Sequence, residues 1–272
     1  MTPSFRFLLP LALALSVASA TTHAYTVITD EHVDIIGITY SESEGLGARI
    51  HADSGDRSPA DALLFDGPSG TTSASRPAGS QWDFLGVAAG EPIHFWPQEN
   101  FAGRIYGGIE AQSIAPGTFA SVPTGDPRAP GTFQWLTVQL VDVRFFDLAG
   151  DPGNAEFSLW QVSAVGGPPK VWMSTAAGGI SSEDLFYITE GGHSHTNWGF
   201  SEPGYYQIDF QLSGSLGETN ELVESAVTTW HFGVEHLPAA IPEPATGWLL
   251  LAACSVVGLL QLRRSRSAKP QR

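Results

Sequence analysis

The run Thr132–Phe146, TFQWLTVQLVDVRFF, constrains the fold of this chain more than any other stretch. It is dense in aromatic and β-branched side chains and apolar on both faces. Such residues fit a pleated, covered surface, so the run predicts a central strand with neighbours on either side. Tyr206, Ile208, Phe210 and Leu212 alternate with Gln207, Asp209 and Gln211, and Thr228, Trp230, Phe232 and Val234 alternate in the same way. That period of two predicts half-buried strands. Shorter candidates are His32–Tyr40, Ala48–Ala52, Ile93–Trp96, Glu156–Val162, Val171–Ser174, Leu185–Thr189 and Ser194–Phe200. Clusters of Gly, Pro, Asp and Asn separate them at Asp66–Ser80, Ser121–Gly131, Asp147–Asn154 and Gly166–Pro169. No part of the body carries a useful 3.6-residue period. The pattern predicts one all-β domain over residues 25–237, an antiparallel β-sandwich or jelly roll.

The two ends read differently. Arg6, the apolar stretch Leu8–Val17 and the small residues Ala18-Ser19-Ala20 or Thr22-His23-Ala24 predict a signal peptide over residues 1–24, cut by signal peptidase. At the other end, residues 238–272 hold a proline-rich linker, an apolar stretch over 245–262 and a basic cluster of Arg263, Arg264, Arg266 and Lys269. The apolar stretch just reaches the lower limit for a spanning helix, about 17 residues. Positive flanks resist translocation, so the body is expected outside the cytoplasm, held to the membrane by this helix. A buried core helix fits poorly, because Pro242 and Pro244 stand directly before it.

Setting both ends aside leaves 7 basic against 27 acidic residues, a formal charge of −20. Nucleic acid is excluded as a partner, since phosphate binding needs a basic face. The only cysteine, Cys254, lies in the apolar tail. The body therefore has no disulfide, no catalytic thiol and no thiolate metal site. Any ion must be held by histidine, carboxylate or carbonyl groups.

The densest chemical signal is Gly191-Gly192-His193-Ser194-His195-Thr196-Asn197-Trp198. On a strand, residues i and i+2 share a face, so His193 and His195 can present two imidazoles to one transition ion. His32-Val33-Asp34 and His51-Ala52-Asp53 repeat the spacing with a carboxylate in the second place. The expected ligand set is His193 and His195, completed by His32 and His51, for a zinc-like ion. The alternative, that each histidine only bonds a sheet edge, stays open. Asp147, Asp151 and Asn154 in a Gly-Pro turn offer oxygens to calcium. His231 alternates against Trp230 and Phe232 and is expected to face solvent; His94 reads equally as core or site.

No G-x-S-x-G elbow, H-E-x-x-H or phosphate-cradling glycine loop occurs, so no enzyme is expected. Three readings follow: a non-catalytic binding or structural module, a metal-binding domain, and, through chance carboxylate pairs, a matrix hydrolase.

Two resemblances add to this. Pro242-Glu243-Pro244, the apolar helix and Arg263-Arg264 resemble the PEP-CTERM sorting signal of Gram-negative bacteria. That likeness implies recognition and removal of the tail by an exosortase, with the inner membrane crossed in transit and the product released or attached to the cell surface or extracellular polysaccharide. The body resembles the choice-of-anchor M surface domain. The likeness rests on His32-Val33-Asp34, Phe84-Leu85-Gly86, Trp96-Pro97, Gly192-His193-Ser194-His195-Thr196-Asn197-Trp198-Gly199-Phe200 and Pro203-Gly204-Tyr205-Tyr206. In actinobacteria such domains occur beside metal-type ABC transporter components, which implies metal handling. Those copies carry other anchors, so the present tail departs from them.

Overall fold

The computed structural model describes residues 25–67, 73–163, 166–176 and 178–237. The expected leader over 1–24, the apolar helix over 245–262 and the sorting residues Pro242, Glu243, Pro244, Arg263 and Arg264 lie outside the described residues. No helix among the described residues is long and apolar enough to cross a membrane.

The described chain is all-β. Its strands are β1 (Thr26–Ile28), β2 (His32–Ser41), β3 (Gly45–Ala52), β4 (Ala62–Asp66), β5 (Ser73–Ser75), β6 (Pro92–Trp96), β7 (Tyr106–Glu110), β8 (Ser121–Pro123) and β9 (Thr132–Phe146). They continue as β10 (Pro152–Gly153), β11 (Phe157–Gln161), β12 (Lys170–Ser174), β13 (Leu185–Thr189), β14 (His193–His195), β15 (Asn197–Phe200), β16 (Gly204–Ser215), β17 (Leu222–Glu224) and β18 (Thr228–Val234). Among the described residues, short 3-10 turns at Pro59–Asp61 and Ser80–Leu85 are the only helical segments between them.

Three sheets share these strands. The largest runs β1-β4-β18-β16-β9-β10, with β13, β8 and β17 joined at its flanks. A second runs β12-β11-β15-β6-β5, and a third β14-β7-β2-β3. One continuous core lies between them. Leu136, Ile208, Phe210, Trp230 and Phe232 enter it from the large sheet, Trp96, Phe157, Met173 and Trp198 from the second, and Val33, Ile36, Ile50 and Ile109 from the third. The arrangement is consistent with a β-sandwich. Most pairings are antiparallel, but β1 with β4, β4 with β18 and β2 with β7 are parallel.

The long apolar run is β9, paired with β16 along ten residues through one bulge at Asp209/Phe210. The alternating stretches are β16 and β18. Burial on β18 departs from simple alternation: His231 is only 2% exposed. Its Nδ1 lies 2.7 Å from the Tyr205 hydroxyl, and the Tyr25 ring covers it at 4.7 Å. The expectation that His231 faces solvent is therefore overturned, because this second face of the strand is also covered. His94 is buried in the structure, with Nδ1 2.9 Å from Glu235 Oε1.

Candidate metal centre

The site is built on β7, the strand between β2 and β14. Its register places Asp34, Gly108 and His195 in one row across three strands. His32 stands opposite Tyr106 and His193 opposite Glu110 in the flanking rows. Strands β2 and β14 are two spacings apart, about 9.5 Å, which is far for side chains to meet. They meet because the middle of the row is glycine. A Cβ on Gly108 would lie 2.5 Å from Asp34 Oδ1, 3.1 Å from His195 Cε1 and 3.2 Å from His195 Nδ1. The bare backbone of Gly108 is the floor over which groups from both sides converge.

Four donors gather there. One ligand atom each from His32, Asp34, His193 and His195 lies within 4.8 Å of all the others. His193 Nε2 is 2.8 Å and His32 Nε2 3.8 Å from Asp34 Oδ1. The ring centroids of His32, His193 and His195 are 4.7 to 5.6 Å apart. Three imidazoles and one carboxylate are a usual donor set for zinc, with bonds of about 2.0–2.2 Å.

Burial divides the cluster. Asp34 is 1% exposed, whereas the side chains of His32 and His193 are 27% and 31% exposed. Two atoms at the floor, Asp34 Oδ1 and His195 Nδ1, are buried without a hydrogen-bond partner. The 2.8 Å approach of His193 Nε2 to Asp34 Oδ1 is an ion-pair contact. Each such atom costs about 1–3 kcal/mol, and buried polar groups in native proteins nearly always find a partner or an ion. A cation over Gly108 would satisfy both.

Electrostatics prepare the donors. Burial, and then the neighbouring charges of His193 and His32, hold the His195 imidazole down to about 4. It is neutral near pH 7, with a lone pair available and no proton to displace. Burial raises the Asp34 carboxyl, while His193 and His32 oppose that rise. The Tyr106 ring lies flat on His195, 3.5 Å between centroids and 3° from parallel. Behind His32, Nδ1 faces Asp53 Oδ1 at 3.6 Å.

The structure brings together three of the four histidines expected as ligands and leaves out the fourth. His51 lies on β3, the outer strand, and its Nδ1 pairs with Asp56 Oδ1 at 2.5 Å. That contact holds the Asp56 carboxyl below its ordinary value. Asp34 takes the fourth place instead. The sequence signal for it was the second member of His32-x-Asp34, which shares a strand face with His32. At the calcium candidate, Asp147 Oδ1 accepts the N–H groups of Ala149 and Asp151.

Elsewhere, an apolar cleft of about 220 Å³ is walled by Trp82, Leu85, Ile93, Phe95 and Trp160. Asn197 borders it, but its amide is taken up by Gln98 and the Trp160 carbonyl.

No family model matches this chain, and neither a curated protein nor a solved structure shows significant similarity to it.

Proposed function

We propose that this protein is an exported β-sandwich that binds a divalent transition ion, zinc above all, through His32, Asp34, His193 and His195. The observation that carries the reading is the convergence of those four donors over Gly108. The donor set favours a borderline ion such as zinc over calcium or magnesium, which prefer six or more oxygens. The signal-peptide pattern and the Pro242-Glu243-Pro244, apolar helix and Arg263-Arg264 order support delivery to the cell surface or matrix by an exosortase-type system. The likeness of the body to choice-of-anchor M domains supports metal handling there. On this reading the protein is a binding module and not an enzyme.

Metal analysis of the purified protein after equilibration with zinc and desalting tests it. One ion per chain is expected, and none in His193→Ala/His195→Ala of unchanged circular dichroism. Wild-type protein that retains no zinc, or a folded double variant that retains it, removes the reading.

A further inference from the structure

We propose that the ion is exchangeable cargo, entering and leaving through one open face, and not a staple that holds the fold. The proposal rests on the metal reading above and asks what the site is for.

The donors form two unlike halves. Asp34 and His195 belong to the floor, with Oδ1 and Nδ1 sealed from solvent. His32 and His193 form a rim that solvent reaches. An ion seated between them is backed by the sheet on one side and reached past two imidazoles on the other. An incoming chelating group can bond to the ion as a rim imidazole leaves. One ion–imidazole bond breaks as one bond to the incoming donor forms, and the ion stays divalent throughout. No thiolate holds the ion, because the only cysteine is Cys254.

The frame of the site needs no ion. Main-chain ladders fix β2 and β14 to β7 on either side. The turn before β14 is tied to the end of β7 by Ala111 N–H to the Gly192 carbonyl and Gly191 N–H to the Ala111 carbonyl, at 2.9 and 3.1 Å. Gln161 Nε2 donates to the His195 carbonyl at 2.9 Å and to Ser194 Oγ at 3.0 Å. Trp230 Nε1 donates to the Ile35 carbonyl at 2.8 Å, fastening β2 to the large sheet. The core draws on all three sheets. Domains that depend on a structural zinc are small and unfold without it; a body of this size closes its own core.

Rapid mixing of the zinc-loaded protein with a chromophoric chelator, 4-(2-pyridylazo)resorcinol, tests this, with circular dichroism followed in parallel. Complete transfer is expected, at a rate that rises with chelator concentration, with the β spectrum unchanged. His193→Ala loaded at high zinc should transfer about tenfold faster or more, since even outer-shell changes cost 10–100-fold in affinity. Loss of the β spectrum as zinc leaves would identify a staple and overturn the proposal. So would a release rate independent of chelator and equal to that of global unfolding. A protein that never loads zinc defeats the metal reading itself, a distinct result.

Discussion

Gly108 is the residue on which the site turns. It contributes no side chain, and that absence lets a carboxylate from one neighbouring strand and an imidazole from the other share a volume. Gly108→Ala places a methyl 2.5 Å from Asp34 Oδ1, closer than real Cβ atoms come. Isothermal titration with zinc is expected to show binding lost in this variant, with apo stability lowered by about 1–3 kcal/mol through overpacking and the β spectrum unchanged at 25 °C. His51→Ala is the matching control: its imidazole is committed to Asp56, so zinc affinity should equal that of the wild type. Titratable residues shape stability as well. His195, held down to about 4, stays neutral in the fold while the unfolded chain takes up a proton below about 6.5. This group therefore costs stability as pH falls through that window. Asp66 acts oppositely. It is 4% exposed, its Oδ2 lacks a partner, and burial pushes its carboxyl up to about 6 despite Arg104 nearby. Its folded form keeps a proton that the unfolded chain has shed. Its contribution is complete below the ordinary 3.8 and is lost as pH rises through about 6. Denaturant titration of Asp66→Asn should show a gain of up to about 3 kcal/mol at pH 7.5, at about 1.4 kcal/mol per pH unit between the two values. That gain should vanish below pH 4.

At the level of elements, what could be read from the sequence followed the strength of each strand's own pattern. β9, β16 and β18 were legible because aromatic and β-branched residues fill them or alternate along them. β13 was legible with its bounds, Leu185–Thr189. The stretch expected as one strand over Ser194–Phe200 is two: β14 pairs with β7, while β15 pairs with β11 and β6. Thr196 stands where the chain passes from one sheet to another, a change no local pattern marks. β7, Tyr-Gly-Gly-Ile-Glu, was not legible, since glycine weakens a strand interior and marks one chiefly where another group approaches closely. The His-x-His pair could be read because it needs only the period of a strand. The choice of Asp34 over His51 depends on the order β14-β7-β2-β3, which long-range pairing sets. Between elements, the Trp230 indole joins two sheets through the Ile35 carbonyl. Trp230→Phe keeps most of the apolar surface and removes the indole donor from that carbonyl. Chemical denaturation should show a loss of about 1–3 kcal/mol, with zinc affinity also reduced, because β2 carries His32 and Asp34.

On the scale of the whole molecule, a large thiol-free core supplies the stability and a small polar corner supplies the chemistry. Zinc binding links the two by mass action. An ion that binds only the folded form adds about 2.7 kcal/mol at one hundred times its dissociation constant. For a domain of this size each kcal/mol moves Tm by about 2–4 °C. Calorimetry should therefore show a zinc-dependent rise of about 5–10 °C that disappears in Asp34→Ala, with both apo proteins folded at 25 °C. The acidic body, with 27 carboxylates against 7 basic side chains, gives a field that draws cations toward such a corner. The most direct measurement is an anomalous difference map at the zinc edge from crystals of the zinc-loaded protein. The account predicts one strong peak above Gly108, bonded to His32, Asp34, His193 and His195. A peak on any other set of side chains, or a flat map at Gly108 in fully loaded crystals, would contradict it.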